Sequence, residues 1–97
     1  MTLTFLWRWL SGSRRMRPDL HVLVYTRKSC PLCDHALELL QRYQVQYGFT
    51  IETKDVDESE QLVHDYGNCV PVVAINGKVR FRGQVNEVLL RRLLEAP

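Results

Sequence analysis

Ninety-seven residues, 45% hydrophobic and 25% charged, allow one globular domain with a modest core and leave no room for a second. Three cysteines, an odd count, exclude a secreted disulfide framework and fit a reducing compartment. The formal charge of +2 is unevenly spread: residues 1–18 hold Arg8, Arg14, Arg15 and Arg17 and no acid, so the remainder is mildly acidic and offers no nucleic-acid-binding face.

Residues 1–18 read as an N-terminal arm and 19–97 as the domain. In the arm, Leu3, Phe5, Leu6, Trp7, Trp9 and Leu10 form an apolar cluster interrupted by Arg8, too short to span a bilayer. A secretory signal would place its charge before the apolar run and a small-residue cleavage site after it, an order this arm lacks. Three readings stay open: a poorly ordered tail packing its aromatics on the domain or a neighbour, a segment in weak contact with a membrane surface or a partner, and an Arg-rich organellar transit peptide. The arm is expected to be dispensable for the fold. The protein is expected to be a cytoplasmic monomer, or organellar if the source is eukaryotic.

Asp19 to Thr26 predicts a first strand with apolar residues on both faces, hence a central one. Arg27-Lys28-Ser29 forms a loop, and Cys30-Pro31-Leu32-Cys33 then opens a helix running to about Tyr47. Its apolar positions Ala36, Leu37, Leu40, Tyr43 and Tyr47 follow a 3.6-residue spacing, and Gly48 suits its end. Pro31 fits the first turn, where its missing N–H costs nothing. Cys30 then sits at the helix N-terminus, with Cys33 one turn further in on the same face. The helix dipole, Arg27 and Lys28 favour a thiolate there, which is the reactive species, while Asp34 opposes it.

Phe49 to Lys54 alternates as a half-covered second strand, and strand–helix–strand argues a parallel βαβ unit. Asp57 to Gly67 predicts a second helix, with Asp57 as cap and Glu60 completing a capping box. After Asn68-Cys69-Val70-Pro71, two strand-like runs, Val72–Ile75 and Lys78–Arg82, flank Asn76-Gly77, a tight-hairpin signal. Val85 to Ala96 predicts the last helix, apolar at Val85, Val88, Leu89 and Leu93 and widened by Leu90 and Leu94.

A C-x-x-C pair is open to several readings. The rivals to redox chemistry are half of a zinc site, a structural disulfide, or two unrelated buried cysteines: a zinc site wants a second ligand pair at comparable spacing, which is missing, and a cross-link over so short a loop constrains the unfolded chain little. The strand-to-helix setting favours a redox dithiol. Cys69 is either a small buried hydrophobe, a third redox thiol or a third metal ligand.

The order β-α-β-α-β-β-α, with C-x-x-C opening the first helix and Val70-Pro71 preceding the third strand, resembles the thioredoxin fold. That is an α/β domain with a four-stranded mixed sheet and helices on both faces. Thr26 to Cys33, Cys69-Val70-Pro71 and Ile75-Asn76-Gly77-Lys78 resemble the corresponding glutaredoxin segments over about residues 20–96. Cys30-Pro31-Leu32-Cys33-Asp34 with Val85-Asn86 is more narrowly similar to a small glutaredoxin-like family. The resemblance implies Cys30 as nucleophile, Cys33 as resolving thiol, a cis Pro71 facing the dithiol, and the Val70 backbone pairing with substrate. It also implies that Arg27 and Lys28 lie on the substrate side, with Arg27 beside the glycine carboxylate of glutathione. Asn86 stands where glutaredoxins carry an acid for the glutathione amino group, and an amide holds an ammonium more weakly.

The function these readings favour is thiol–disulfide exchange on a protein or small-molecule disulfide, re-reduced by a cellular reductant, with no required cofactor and glutathione as a candidate reductant. The rivals are a metal or iron–sulfur protein using Cys30, Cys33 and Cys69, and a binding module that keeps the fold without turnover.

Overall fold

The computed structural model describes residues 16–96. Its elements are β1 (His21–Thr26), α1 (Pro31–Tyr47), β2 (Thr50–Asp55), a 3-10 turn (Val56–Glu58), α2 (Glu60–Tyr66), β3 (Val72–Ile75), β4 (Lys78–Arg82) and α3 (Glu87–Glu95). The sheet order is β2-β1-β3-β4, with β1 parallel to β2 and antiparallel to β3, and β3 antiparallel to β4. The expected thioredoxin-like α/β architecture is therefore the observed one.

Side-chain alternation along β1 divides the molecule into layers. Val22 and Val24 are fully buried, and their cross-strand partners Ile75 and Val73 face the same way. These four join Leu40, Tyr43 and Tyr47 of α1 and Leu90 and Leu94 of α3 in one core cluster. On the opposite face Tyr25 pairs with Val72, and its ring meets Tyr66 of α2 at 4.6 Å between centroids. Thus α1 and α3 cover one face and α2 the other.

Local chemistry sets the turns. Gly48 ends α1 at φ +76°, where its N–H donates to the Gln44 carbonyl; a left-handed φ suits glycine. Asn76 and Gly77 take φ +50° and +83°, as a two-residue hairpin turn requires. The Asn76 side-chain oxygen also accepts the His21 N–H at 2.8 Å, tying the hairpin to the start of β1. In β3–β4 the register shifts by one between Val73 and Ala74, leaving Arg80 as the extra residue.

Two helices depart from expectation. The stretch 57–67 is not one helix: Asp55 caps the 3-10 turn by accepting the Asp57 N–H, and Ser59 caps α2 by accepting from Gln61 and Leu62. A serine hydroxyl so placed satisfies donors that the helix itself cannot. The last helix begins at Glu87 rather than Val85, because the Asn86 side chain accepts the Leu89 N–H at 3.0 Å and so ends the preceding loop. Its buried stripe is Leu90 and Leu94, whereas Val88 and Leu89 are about half exposed, at 49% and 47%. The Tyr43 and Tyr47 hydroxyls, donating to Glu87 and Glu95 at 2.6 and 3.1 Å, fix that roll.

Arg17, placed in the arm by sequence, belongs to the folded body. Its main-chain N–H donates to the Tyr47 carbonyl, and its guanidinium donates to the carbonyls of Leu94 and Ala96 at 2.8 and 2.7 Å. Carbonyls at a helix C-terminus lack intrahelical partners and attract a cation. The expectations for residues 1–15 lie outside the described residues. Among the described residues no helix is long and apolar enough to cross a membrane.

Candidate active site

The strand β1 delivers the chain to one end of the sheet, and three residues turn it into α1. Ser29 does so at φ +58°, an uncommon conformation for a side-chain-bearing residue. Cys30 is the N-cap of α1, in extended conformation, and Pro31 takes the first helical position. The Cys30 sulfur accepts the Cys33 N–H at 3.1 Å, and its carbonyl accepts the Asp34 N–H at 3.1 Å. Cys30 and Cys33 are joined in a disulfide, with Cα atoms 5.2 Å apart.

The two sulfurs are not equivalent. Cys33 is 2% exposed and packed inside, while Cys30 is partly exposed at the mouth of the helix. In the dithiol state a negative Cys30 sulfur would keep the Cys33 N–H as a donor and face the positive end of the helix dipole. Lys28 is exposed two residues before it.

Arg27 has a different environment from the one sequence implied. Its Nε and one terminal nitrogen donate to both carboxylate oxygens of Asp57, at 3.1 and 2.9 Å, and its other terminal nitrogen donates to the Gly67 carbonyl at 3.0 Å. The carboxylate it holds is the chain's own. The Arg27 guanidinium keeps the Asp57 carboxyl below the usual carboxylate range, chiefly through this hydrogen-bonded pair.

The loop after α2 enters β3 beside the end of β1, and its root is tied to the residue after β1 by the Arg27–Gly67 hydrogen bond. Gly67 is buried at its start, and a Cβ there would meet the Val63 carbonyl at 2.5 Å. Cys69 and Val70 are partly exposed, Pro71 is buried, and the Val70–Pro71 peptide bond is cis. The Pro71 carbonyl accepts the Gly83 N–H at 2.8 Å, continuing the pairing of Val72 with Arg82 and drawing the 83–86 loop alongside. The Cys69 sulfur lies 4.0 Å from a terminal nitrogen of Arg82, whose guanidinium sits over the Tyr66 ring at 5.5 Å. Among the described residues no three His, Cys, Asp or Glu side chains are grouped to hold a metal ion.

Sequence reading missed two features. The first is Asp57, read as a helix cap: nothing local marks it as the partner of a residue 30 positions away. The second is a groove of about 310 Å³ lined by Leu32, Ala36 and Leu39 of α1 and by Gln84, Val85 and Glu87. Its signal was Leu32, an apolar side chain between the two cysteines that is 52% exposed. Asn86, expected among the substrate contacts, lies in the loop that closes this groove and uses its side-chain oxygen to cap α3.

The arrangement is similar to known proteins at several levels. Two archaeal proteins named probable thioredoxin match in sequence. The one from Methanothermobacter marburgensis is 38% identical over 64 residues, covering 62% of this chain and 74% of that protein. The one from Methanothermobacter thermautotrophicus is 34% identical over 68 residues, covering 66% and 79%. Among solved structures, the structural-genomics target XcR50 from X. campestris superposes with a TM-score of 0.65 at 26% identity, over 78% of this chain and 97% of that one. Oxidised mitochondrial thioredoxin 3 from Saccharomyces cerevisiae superposes at 0.59 over 97% and 90% of the two chains; at 17% identity it supports the fold alone. The sequence profile of the glutaredoxin-like domain (DUF836) matches residues 21–95. With the thioredoxin fold and a Cys30–Cys33 pair at the head of α1, the chain belongs to the glutaredoxin-like domain family.

Proposed function

We propose that this protein is a thiol–disulfide oxidoreductase in which Cys30 is the nucleophile and Cys33 the resolving thiol. The observation that carries this reading is the asymmetry of the pair: Cys30 is partly exposed with its sulfur on the Cys33 N–H, and Cys33 is buried behind it. In the reduced protein the Cys30 thiolate attacks one sulfur of a substrate disulfide. That S–S bond breaks, a mixed disulfide forms on Cys30, and the departing thiolate takes a proton. Cys33 then loses its proton and attacks the Cys30 sulfur, releasing the second substrate thiol and closing the Cys30–Cys33 disulfide. The substrate gains two electrons and two protons, and an external thiol reductant restores the dithiol. Lys28 and the helix N-terminus favour the attacking thiolate. The loop of Val70 and Pro71, drawn beside the dithiol turn, is the surface against which a disulfide-bearing chain would lie.

The test is reduction of a small disulfide by purified protein, with dithiothreitol as the electron source. The wild type is expected to turn over and Cys30→Ser to be inactive, and pre-reduced Cys33→Ser, given the disulfide without dithiothreitol, to accumulate a mixed disulfide visible by mass spectrometry. In the reduced protein iodoacetamide should modify Cys30 well before Cys33. Equal alkylation of the two thiols, or activity surviving in Cys30→Ser, would overturn the assignment.

A further inference from the structure

The pairing of β1 with its neighbours stops just before the chemistry begins. Towards β3 the last partners are Tyr25 and Val72; towards β2 they are Thr26 and Asp55. Beyond them run the dithiol turn, the 3-10 turn after β2, and the Gly67–Pro71 loop before β3, where backbone ladders no longer set the spacing. Arg27 is the first residue past β1, and its guanidinium reaches both sides at once. It holds Asp57 of the 3-10 turn by both oxygens and the Gly67 carbonyl at the root of the Cys69–Pro71 loop.

The tie has rigid anchors. Asp57 is itself fixed, its N–H donating to the Asp55 side chain at 2.9 Å. Gly67 is buried, its N–H donates to the Val63 carbonyl, and the Cys69 N–H donates to the Tyr66 carbonyl, so the loop root follows the end of α2. A planar guanidinium can fork onto a carboxylate and still present a third donor to a carbonyl; an ammonium is a point charge and cannot reproduce that geometry.

We propose that Arg27 is a positioning residue for disulfide exchange, setting the spacing between the dithiol turn and the Cys69–Pro71 loop so that a peptide disulfide fits between them. This role rests on the oxidoreductase reading of the same site. It is specific in its consequence. A peptide touching both the dithiol and the loop senses their separation, whereas a small disulfide that meets the dithiol alone does not.

The experiment compares wild type, Arg27→Gln, Arg27→Lys and Asp57→Asn, each checked for fold by circular dichroism at the assay temperature. The substrates are an oxidised cyclic peptide disulfide and 2-hydroxyethyl disulfide, both with dithiothreitol as reductant. Arg27→Gln should raise KM for the peptide by about tenfold, as a loss of binding shared by ground and transition states does. Its kcat, and its kcat/KM for 2-hydroxyethyl disulfide, should stay near wild type. Arg27→Lys should fail to restore the peptide KM, and Asp57→Asn, which keeps the Gly67 contact, should fall between. A peptide KM in Arg27→Gln within twofold of wild type overturns the proposal. So does a parallel fall on both substrates that tracks loss of folded protein, or full rescue by lysine. Wild-type protein that reduces neither disulfide overturns the oxidoreductase reading itself, and the positioning role with it.

Discussion

Asp57 carries a consequence in acid. Its carboxyl is held below the ordinary range first by the Arg27 hydrogen bond and then, against some desolvation, by the nearby charges of Arg27 and Lys28. A carboxyl with a depressed folded pKa contributes stability that is present above its unfolded value, about 3.9, and lost as pH falls through the folded one. Urea midpoints of wild type should therefore fall below about pH 4, and part of that fall should be missing in Asp57→Asn. Identical pH profiles for the two proteins would mean that the pair contributes nothing measurable, as many exposed ion pairs do. At this scale sequence was informative where the chemistry is local. Cys30, Pro31 and Cys33 lie within one helical turn, and the expectation of a thiolate at Cys30 follows from helix-end physics. The partner of Arg27 was not legible, because a charged residue in a loop looks solvated until the fold brings a distant carboxylate to it.

Elements were legible in proportion to how narrowly their pattern restricts them. Short, largely apolar β-branched runs in β1 and β3 and the Asn76-Gly77 turn left these strands and β4 little freedom, and Pro31 and Gly48 bounded α1 at both ends. In α3 the apolar residues Val88, Leu89, Leu90, Leu93 and Leu94 cover most of the circumference, so periodicity could not choose the inward face. The tyrosine hydroxyls of α1 chose it, by engaging Glu87 and Glu95. Neighbouring leucines should then differ sharply. Leu90 is fully buried, so Leu90→Ala should cost about 2–5 kcal/mol by lost transfer energy and cavity formation. Leu89 is 47% exposed, and Leu89→Ala should cost less than about 1 kcal/mol. Chemical denaturation of the two variants checks the order; equal losses would mean that α3 sits differently on the core.

The whole molecule brings the dithiol turn, the Val70–Pro71 loop and the 83–86 loop to one end of the sheet. That convergence was implied by the order of elements, since the connections before α1, β3 and α3 all pass this edge. What the convergence selects for depends on groups already committed elsewhere. Arg27, the expected holder of a glutathione carboxylate, is bound to Asp57. Asn86, standing where the family resemblance implies an acid for the glutathione amino group, caps α3. An amide in place of a carboxylate forgoes a charge-assisted hydrogen bond of roughly 1.5–3 kcal/mol, a tenfold to hundredfold weaker hold. Glutathione as the only reductant should therefore support slow turnover, and a dithiol faster turnover. Asn86→Asp is a clean probe, because aspartate caps a helix about as well as asparagine and suits the dipole there, so the fold is held constant. The variant should raise glutathione-supported disulfide reduction several-fold while leaving the dithiothreitol-supported rate unchanged. One coupled assay with two reductants on two proteins decides it. Wild type already fast on glutathione, together with an indifferent Asn86→Asp, would show that this end of the molecule recognises glutathione by other groups.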